Sequence, residues 1–170
     1  MRVRPDLEHA PRLPFQRDYD YFAHLQEMRP VLESLKRGGR CVPLLLEKAA
    51  RSLQFAAFPA ARDAAISALQ LSPTCVEGHW LRALACLGLC LNRLGVLARS
   101  PAIWPSDLPM DLVSTEAHVH LDEARNSLGY CVELTDAGDQ EAADLLDYLL
   151  KLGDTPTDAT LRNWLNRLLD

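Results

Sequence analysis

Nowhere in this 170-residue chain do lysine and arginine form a run of more than two. Eighteen basic residues face 23 acidic ones, giving a formal charge of −5 and a sequence pI near 5.5. Only four basic residues precede position 20, interleaved with Asp6, Glu8 and Asp18. A nucleic-acid binder presents a basic face, so no nucleic acid is expected as a partner. Long apolar runs are missing too. The most apolar stretch extends from Ala83 to Leu91, bounded by Arg82 and by Asn92-Arg93. A membrane-spanning helix needs about 20 apolar residues, so this stretch reads as a buried helix and no membrane partner is expected. The opening Met1-Arg2-Val3-Arg4-Pro5-Asp6 lacks the apolar core of a signal peptide. Five cysteines occur, an odd number without a Cys-x-x-Cys pair. Cys86 and Cys90 lie four apart beside leucines, which suits small buried hydrophobes in a reducing compartment. These absences together predict a cytoplasmic protein.

Catalytic signatures are absent as well. No Gly-x-Ser-x-Gly elbow occurs, and Gly38-Gly39 has no Gly-Lys-Ser/Thr downstream to cradle phosphate. No catalytic residue, cofactor or cofactor-binding residue is assigned, and the chain reads as a non-enzyme. What is present suits an ordinary globular domain with a sizeable core: 48% hydrophobic and 24% charged residues.

The fold expected is all-α. Residues 1–17 contain Pro5, Pro11 and Pro14 and read as an irregular arm. Residues 18–170 form a single helical domain. A first helix opens at Asp18 or Asp20 and carries Phe22, Leu25, Met28, Leu32 and Leu35 on one stripe. Pro30 should kink it and Gly38-Gly39 should end it. A second helix covers 42–57. Pro59 then opens a third that runs to Leu71. A long apolar helix over 75–98 has weak points at Gly88 and Gly95. Pro101, Pro105 and Pro109 surround Trp104 in a proline-rich loop over 99–113. Helix resumes near Ser114 and stops at Gly138, Asp139 caps the next, and that helix ends at Gly153. Thr155-Pro156-Thr157-Asp158 is a helix start with a capping side chain, an early proline and an acid three residues on. The last helix places Leu161, Trp164, Leu165 and Leu168 on one stripe. Six or seven helices with short connections should pair as antiparallel hairpins.

Small residues recur at helix-contact spacing. Ala49 lies in one helix, Phe58, Ala61 and Ala68 in the next, and Pro73 follows. Ala83 falls 34 residues after Ala49. In this stretch, from 45 to 90, the chain resembles the tetratricopeptide repeat, whose period is about 34 residues. Leu71-Ser-Pro-Thr-Cys-Val-Glu-Gly-His-Trp resembles the junction between two such repeats, and Cys131, Gly138 and Ala143 echo a further unit beyond the proline loop. The likeness covers about half the chain. Lys48 stands where that pattern has leucine, Ser52 where it has an aromatic, and Trp80 is one position off. The resemblance implies stacked helical hairpins; a compact helical bundle is the alternative.

A second likeness comes from the carboxyl end. Gly138-Asp139-Gln-Glu-Ala-Ala-Asp-Leu-Leu-Asp-Tyr-Leu-Leu, followed by Trp164, is similar to the last helices of ferritin-like proteins, but their Glu-x-x-His is missing. Glu116, His120 and Glu123 share a helix face near His118, and Glu77 and His79 sit on an earlier helix. Imidazole with carboxylate suits zinc or iron. The spacing is not that of known helical zinc sites, so a solvated polar face is expected and no metal ligand is assigned.

Stacked hairpins form grooves that receive a segment of another protein. The expected role is therefore a protein-binding adaptor, scaffold or chaperone. The alternatives are a metal-binding ferritin-like protein or enzyme, and a structural subunit of a larger assembly. The partner's identity, including a second copy of the chain, is open. Partner-facing candidates are Lys48, Ser52, His79 and Arg82 on the first helices of the hairpins, with Trp104 in its loop. The acidic residues Asp136, Asp139, Glu141, Asp144 and Asp147 read as a solvated face, with a basic partner as the other option.

Overall fold

The computed structural model describes residues 29–30, 33–34, 41–94 and 115–168. Among them are six helices and no strand: α1 (Val42–Gln54), α2 (Phe58–Leu71), α3 (Val76–Arg93), α4 (Thr115–Leu134), α5 (Gln140–Leu150) and α6 (Asp158–Arg167). The expected all-α class is what the chain adopts. None of these helices is long and apolar enough to cross a membrane. The amino-terminal arm, most of the first expected helix and the Trp104 loop lie outside the described residues. Arg29, Pro30, Glu33 and Ser34 are helical and exposed.

Apolar spacing sets which face of each helix turns inward. On α1 the buried residues are Leu45, Ala49, Ser52 and Leu53, one stripe at helical period. On α6 they are Asp158, Leu161 and Leu165, with Leu168 just past its end. α3 differs because its middle is enclosed on nearly every side, from Ala83 through Gly88 and then Cys90 and Leu91. A helix apolar all round belongs inside. α1, α2, α4 and α6 all pack against α3, and α5 packs on α4.

The close-contact positions are small for a geometric reason. Ala49, Ala61, Ala68 and Ala83 are all fully enclosed, and small residues at a crossing let helix axes approach. Gly88, expected as a weak point, is required by its neighbour. A Cβ there would lie 2.2 Å from Cδ1 of the fully buried Phe58. The ring of α2 thus lies against the bare backbone of α3.

Three helix ends fall short of their expected positions, and the first two share one closure. α1 stops at Gln54 rather than 57, and α4 stops at Leu134 rather than at Gly138. Both close with the same motif. The Ala57 N–H donates to Ser52 O at 2.8 Å and Ala56 N–H to Leu53 O at 2.9 Å, with Ala56 at φ 57°. At α4, Ala137 N–H donates to Val132 O at 2.8 Å and Asp136 N–H to Glu133 O at 3.3 Å, with Asp136 at φ 50°. These are Schellman closures built without glycine. Gly138 serves differently: a Cβ there would lie 2.9 Å from the Thr135 carbonyl oxygen. α5 likewise ends at Leu150, before Gly153 (φ 78°).

The caps also sort differently from expectation. Asp139 caps α5 as expected, accepting from Ala142 N–H at 3.0 Å. At α6 the cap is Thr157, accepting from Thr160 N–H at 3.3 Å. Pro156 therefore precedes the helix instead of opening it, and Asp158 is its first residue.

Candidate functional site

The densest polar constellation among the described residues lies where α2, α3 and α4 meet. Glu123 of α4 is its centre. Arg62 of α2 grips that carboxylate with two bonds, Nε to Oε2 at 3.0 Å and Nη2 to Oε1 at 2.8 Å. Arg82 of α3 approaches with Nη2 at 3.5 Å from Oε2, and the Cys86 thiol donates to the same oxygen at 3.3 Å. The bidentate fork is the strong form of the guanidinium–carboxylate pair.

Charge and burial shift these groups in consistent directions. The Arg62 hydrogen bonds hold the Glu123 carboxyl below its usual range, and the same bonds raise Arg62. Burial first, then Glu123, pushes the Cys86 thiol up to about 12. Cys86 is therefore a protonated, unreactive thiol at neutral pH. Burial lowers His120, whose Nδ1 is enclosed without a hydrogen-bond partner. One α4 turn earlier, Glu116 pairs with Arg93 at 2.9 Å.

The carboxylate–histidine face suggested by the sequence is thus differently employed. Glu116 and Glu123 are each held by arginine. His118 sets Nε2 against Pro156 O at 2.9 Å, and because a carbonyl only accepts, Nε2 carries the proton. Among the described residues no three His, Cys, Asp or Glu side chains gather as a metal site would require. All five cysteines are free thiols; Cys86, Cys90 and Cys131 are buried, while Cys41 and Cys75 are only half-buried.

The partner-facing candidates separate. Lys48 is half-buried on α1 and Ser52 is fully enclosed. His79 is buried, its Nε2 donating to Pro73 O at 2.8 Å and its ring stacked on Tyr130 at 4.8 Å. Arg82 flanks Glu123, and Trp104 lies outside the described residues. Only His79 and Arg82 come together, one turn apart on α3. Beside them lies a depression of about 610 Å³ whose described walls include Arg82, Glu123, Asn126, Tyr130 and Glu133. Tyr130 is 52% exposed there. Of the acidic run, Asp139 is a helix cap, Asp144 accepts from Gln140 at 2.6 Å, and Asp147 pairs with Lys151 at 3.0 Å.

Sequence reasoning missed Arg62, Arg125 and Tyr130. A usable signal existed for the first two: Arg62 and Arg125 are the only basic residues of α2 and α4. A lone arginine on a helix with an apolar stripe is a candidate for a specific partner. No protein-family model matches the chain, and neither the curated proteins nor the solved structures contain a significant match.

Proposed function

We propose that this chain is a non-catalytic protein-binding module, a cytoplasmic adaptor or scaffold, that receives a partner segment on its α3–α4 face. What supports the reading above all is Tyr130, a large aromatic half out in solvent. It is backed by the buried His79 ring and bordered by Arg82, Asn126 and Glu133 at the depression. Tyrosine and arginine beside each other are the side chains that carry most binding energy at protein interfaces. The order of the hairpins supports the reading too: α1 packs against α2 and α3, as the first helices of tetratricopeptide-like units do. Ser52 drops out of the proposed surface because it is enclosed, and Lys48 lies on a different helix from the depression.

The experiment is affinity capture from the native source, repeated with Tyr130→Ser and Arg82→Gln. Charge reversal at Arg82 is unsuitable, because a carboxylate there would face Glu123 at close range. Both variants should lose the partner that the parent chain captures. Tyr130→Ser also removes the stack on His79, so it should lose about 1 kcal/mol of stability and remain folded. Capture undiminished in both variants would remove the α3–α4 face from the proposal.

A further inference from the structure

Two arginines approach one carboxylate at the α2–α3–α4 junction, and they hold it unequally. Arg62 makes two short hydrogen bonds to Glu123, while Arg82 stands at 3.5 Å with its Nε enclosed and without a hydrogen-bond partner. α2 and α4 both lean on α3 but make few direct contacts with each other. The Arg62–Glu123 pair, 61 residues apart in sequence, spans that seam. Beneath it lies Cys86, fully enclosed, with its sulfur 3.3 Å from the Glu123 carboxylate.

We propose that this junction is an openable clasp: Glu123 exchanges Arg62 for Arg82, α2 parts from α4, and Cys86 becomes reachable from solvent while the rest of the fold persists. The exchange has two discrete arrangements. In the closed one Glu123 is forked by Arg62. In the open one Arg82 moves in from 3.5 Å, and its unmatched donor gains an acceptor. Ordered elements joined by a seam of few contacts are where local opening is cheapest. The other two buried thiols are away from the Glu123 carboxylate: Cys90, one turn further along α3, donates to Ala117 O, and Cys131 of α4 donates to Val76 O. They serve as internal references. The proposal does not depend on the α3–α4 face binding a partner.

The test is residue-resolved labelling of the full chain with N-ethylmaleimide at pH 7, read by mass spectrometry. Arg62→Met removes the strong half of the clasp. Arg62 lowers the pKa of Cys86, so its loss depletes the thiolate and slows labelling at equal access. Acceleration in this variant therefore reports opening. Labelling of Cys86 should rise about tenfold, with Cys90 and Cys131 at their parental rates. Arg62→Lys keeps the charge without the fork and should give an intermediate rate. A parental rate at Cys86 in both variants, or all three thiols accelerating in step, would overturn the clasp.

Discussion

The α1–α3 half and the α4–α6 half of this molecule share one core and are secured by different means. Cys41, Ala57 and Cys75 precede α1, α2 and α3, and none of them caps its helix with a side chain. Their cohesion is apolar and close: Ala49, Ala61, Ala64, Ala65 and Ala68 at the contacts, and Phe58 against Gly88. The later half relies on side chains reaching backbone carbonyls. Arg125 donates to Leu149 O at 2.7 Å and Gly153 O at 2.8 Å, at the carboxyl end of α5. A cation there also complements the helix dipole. His118 fastens Pro156, and the Tyr148 hydroxyl donates to Trp164 O at 2.8 Å. Asp139 and Thr157 cap α5 and α6. At the contacts of α2 with its neighbours, small alanines let shape supply most of the cohesion. α5 and α6 have 11 and 10 residues, and they are pinned by polar bonds at their ends.

This contrast can be broken at its tightest point first. Gly88→Ala forces a methyl into the Phe58 ring and should cost about 3 kcal/mol, the upper part of the overpacking range. Urea denaturation measures it, and Phe58→Leu in the same chain should restore part of the loss. In the later half, Arg125→Met deletes both carbonyl bonds at the end of α5. We expect a loss of about 2 kcal/mol, as for hydrogen bonds to charged groups. Hydrogen exchange should quicken in residues 149–157 while α1 and α2 keep their protection. A smaller effect separates the halves by their caps. Asp139→Ala should cost about 1 kcal/mol, whereas Cys41→Ala should change stability by no capping term at all.

The smallest effect is one of pH, and it belongs to the seam between the halves. Folded His120 resists protonation, so stability begins to fall as pH drops below the ordinary histidine value of 6.5. Folded Glu123 has a depressed pKa. Its contribution is present above the ordinary carboxylate value of 4.5 and is lost as pH falls through the lower, folded value. Both contributions are small, because both groups retain contact with solvent. Glu123→Gln should flatten only the more acidic part of the profile, and His120→Gln only the milder part. A profile identical in all three chains would deny the junction any electrostatic role.

Much of the helical order was legible in the residues. The starts of α2 and α3, the Asp139 cap and the apolar stripe of the last helix follow from proline, acid and leucine positions. So does the enclosure of Ala49, Ala61, Ala68 and Ala83. What escaped was tertiary or depended on rare backbone. The Phe58-Pro59 turn and Gly138 read as the stops of α1 and α4, yet Ala56 and Asp136 adopt the left-handed conformation, so both helices end early. Gly88 reads as a flaw until Phe58 is placed against it. Glu123 reads as one member of a carboxylate–histidine face, because nothing local reveals that Arg62, 61 positions away, will claim it.

The enclosure of α3 on nearly every side has a consequence during synthesis. α1 and α2 leave the ribosome before α3 and can cover part of it at once. The α4 side waits until residue 134 has been made, 40 residues after Leu94 closes α3. At 5–20 residues per second this interval is roughly 2–8 s. Helix pairing is faster than that by orders of magnitude, so translation sets the delay. For those seconds the α4-facing side of α3, with His79, Cys86 and Cys90, lies uncovered on the nascent chain. Slow codons read after α3 has cleared the ribosomal exit tunnel should therefore raise the aggregated fraction of newly made protein, and the same codons ahead of α3 should not.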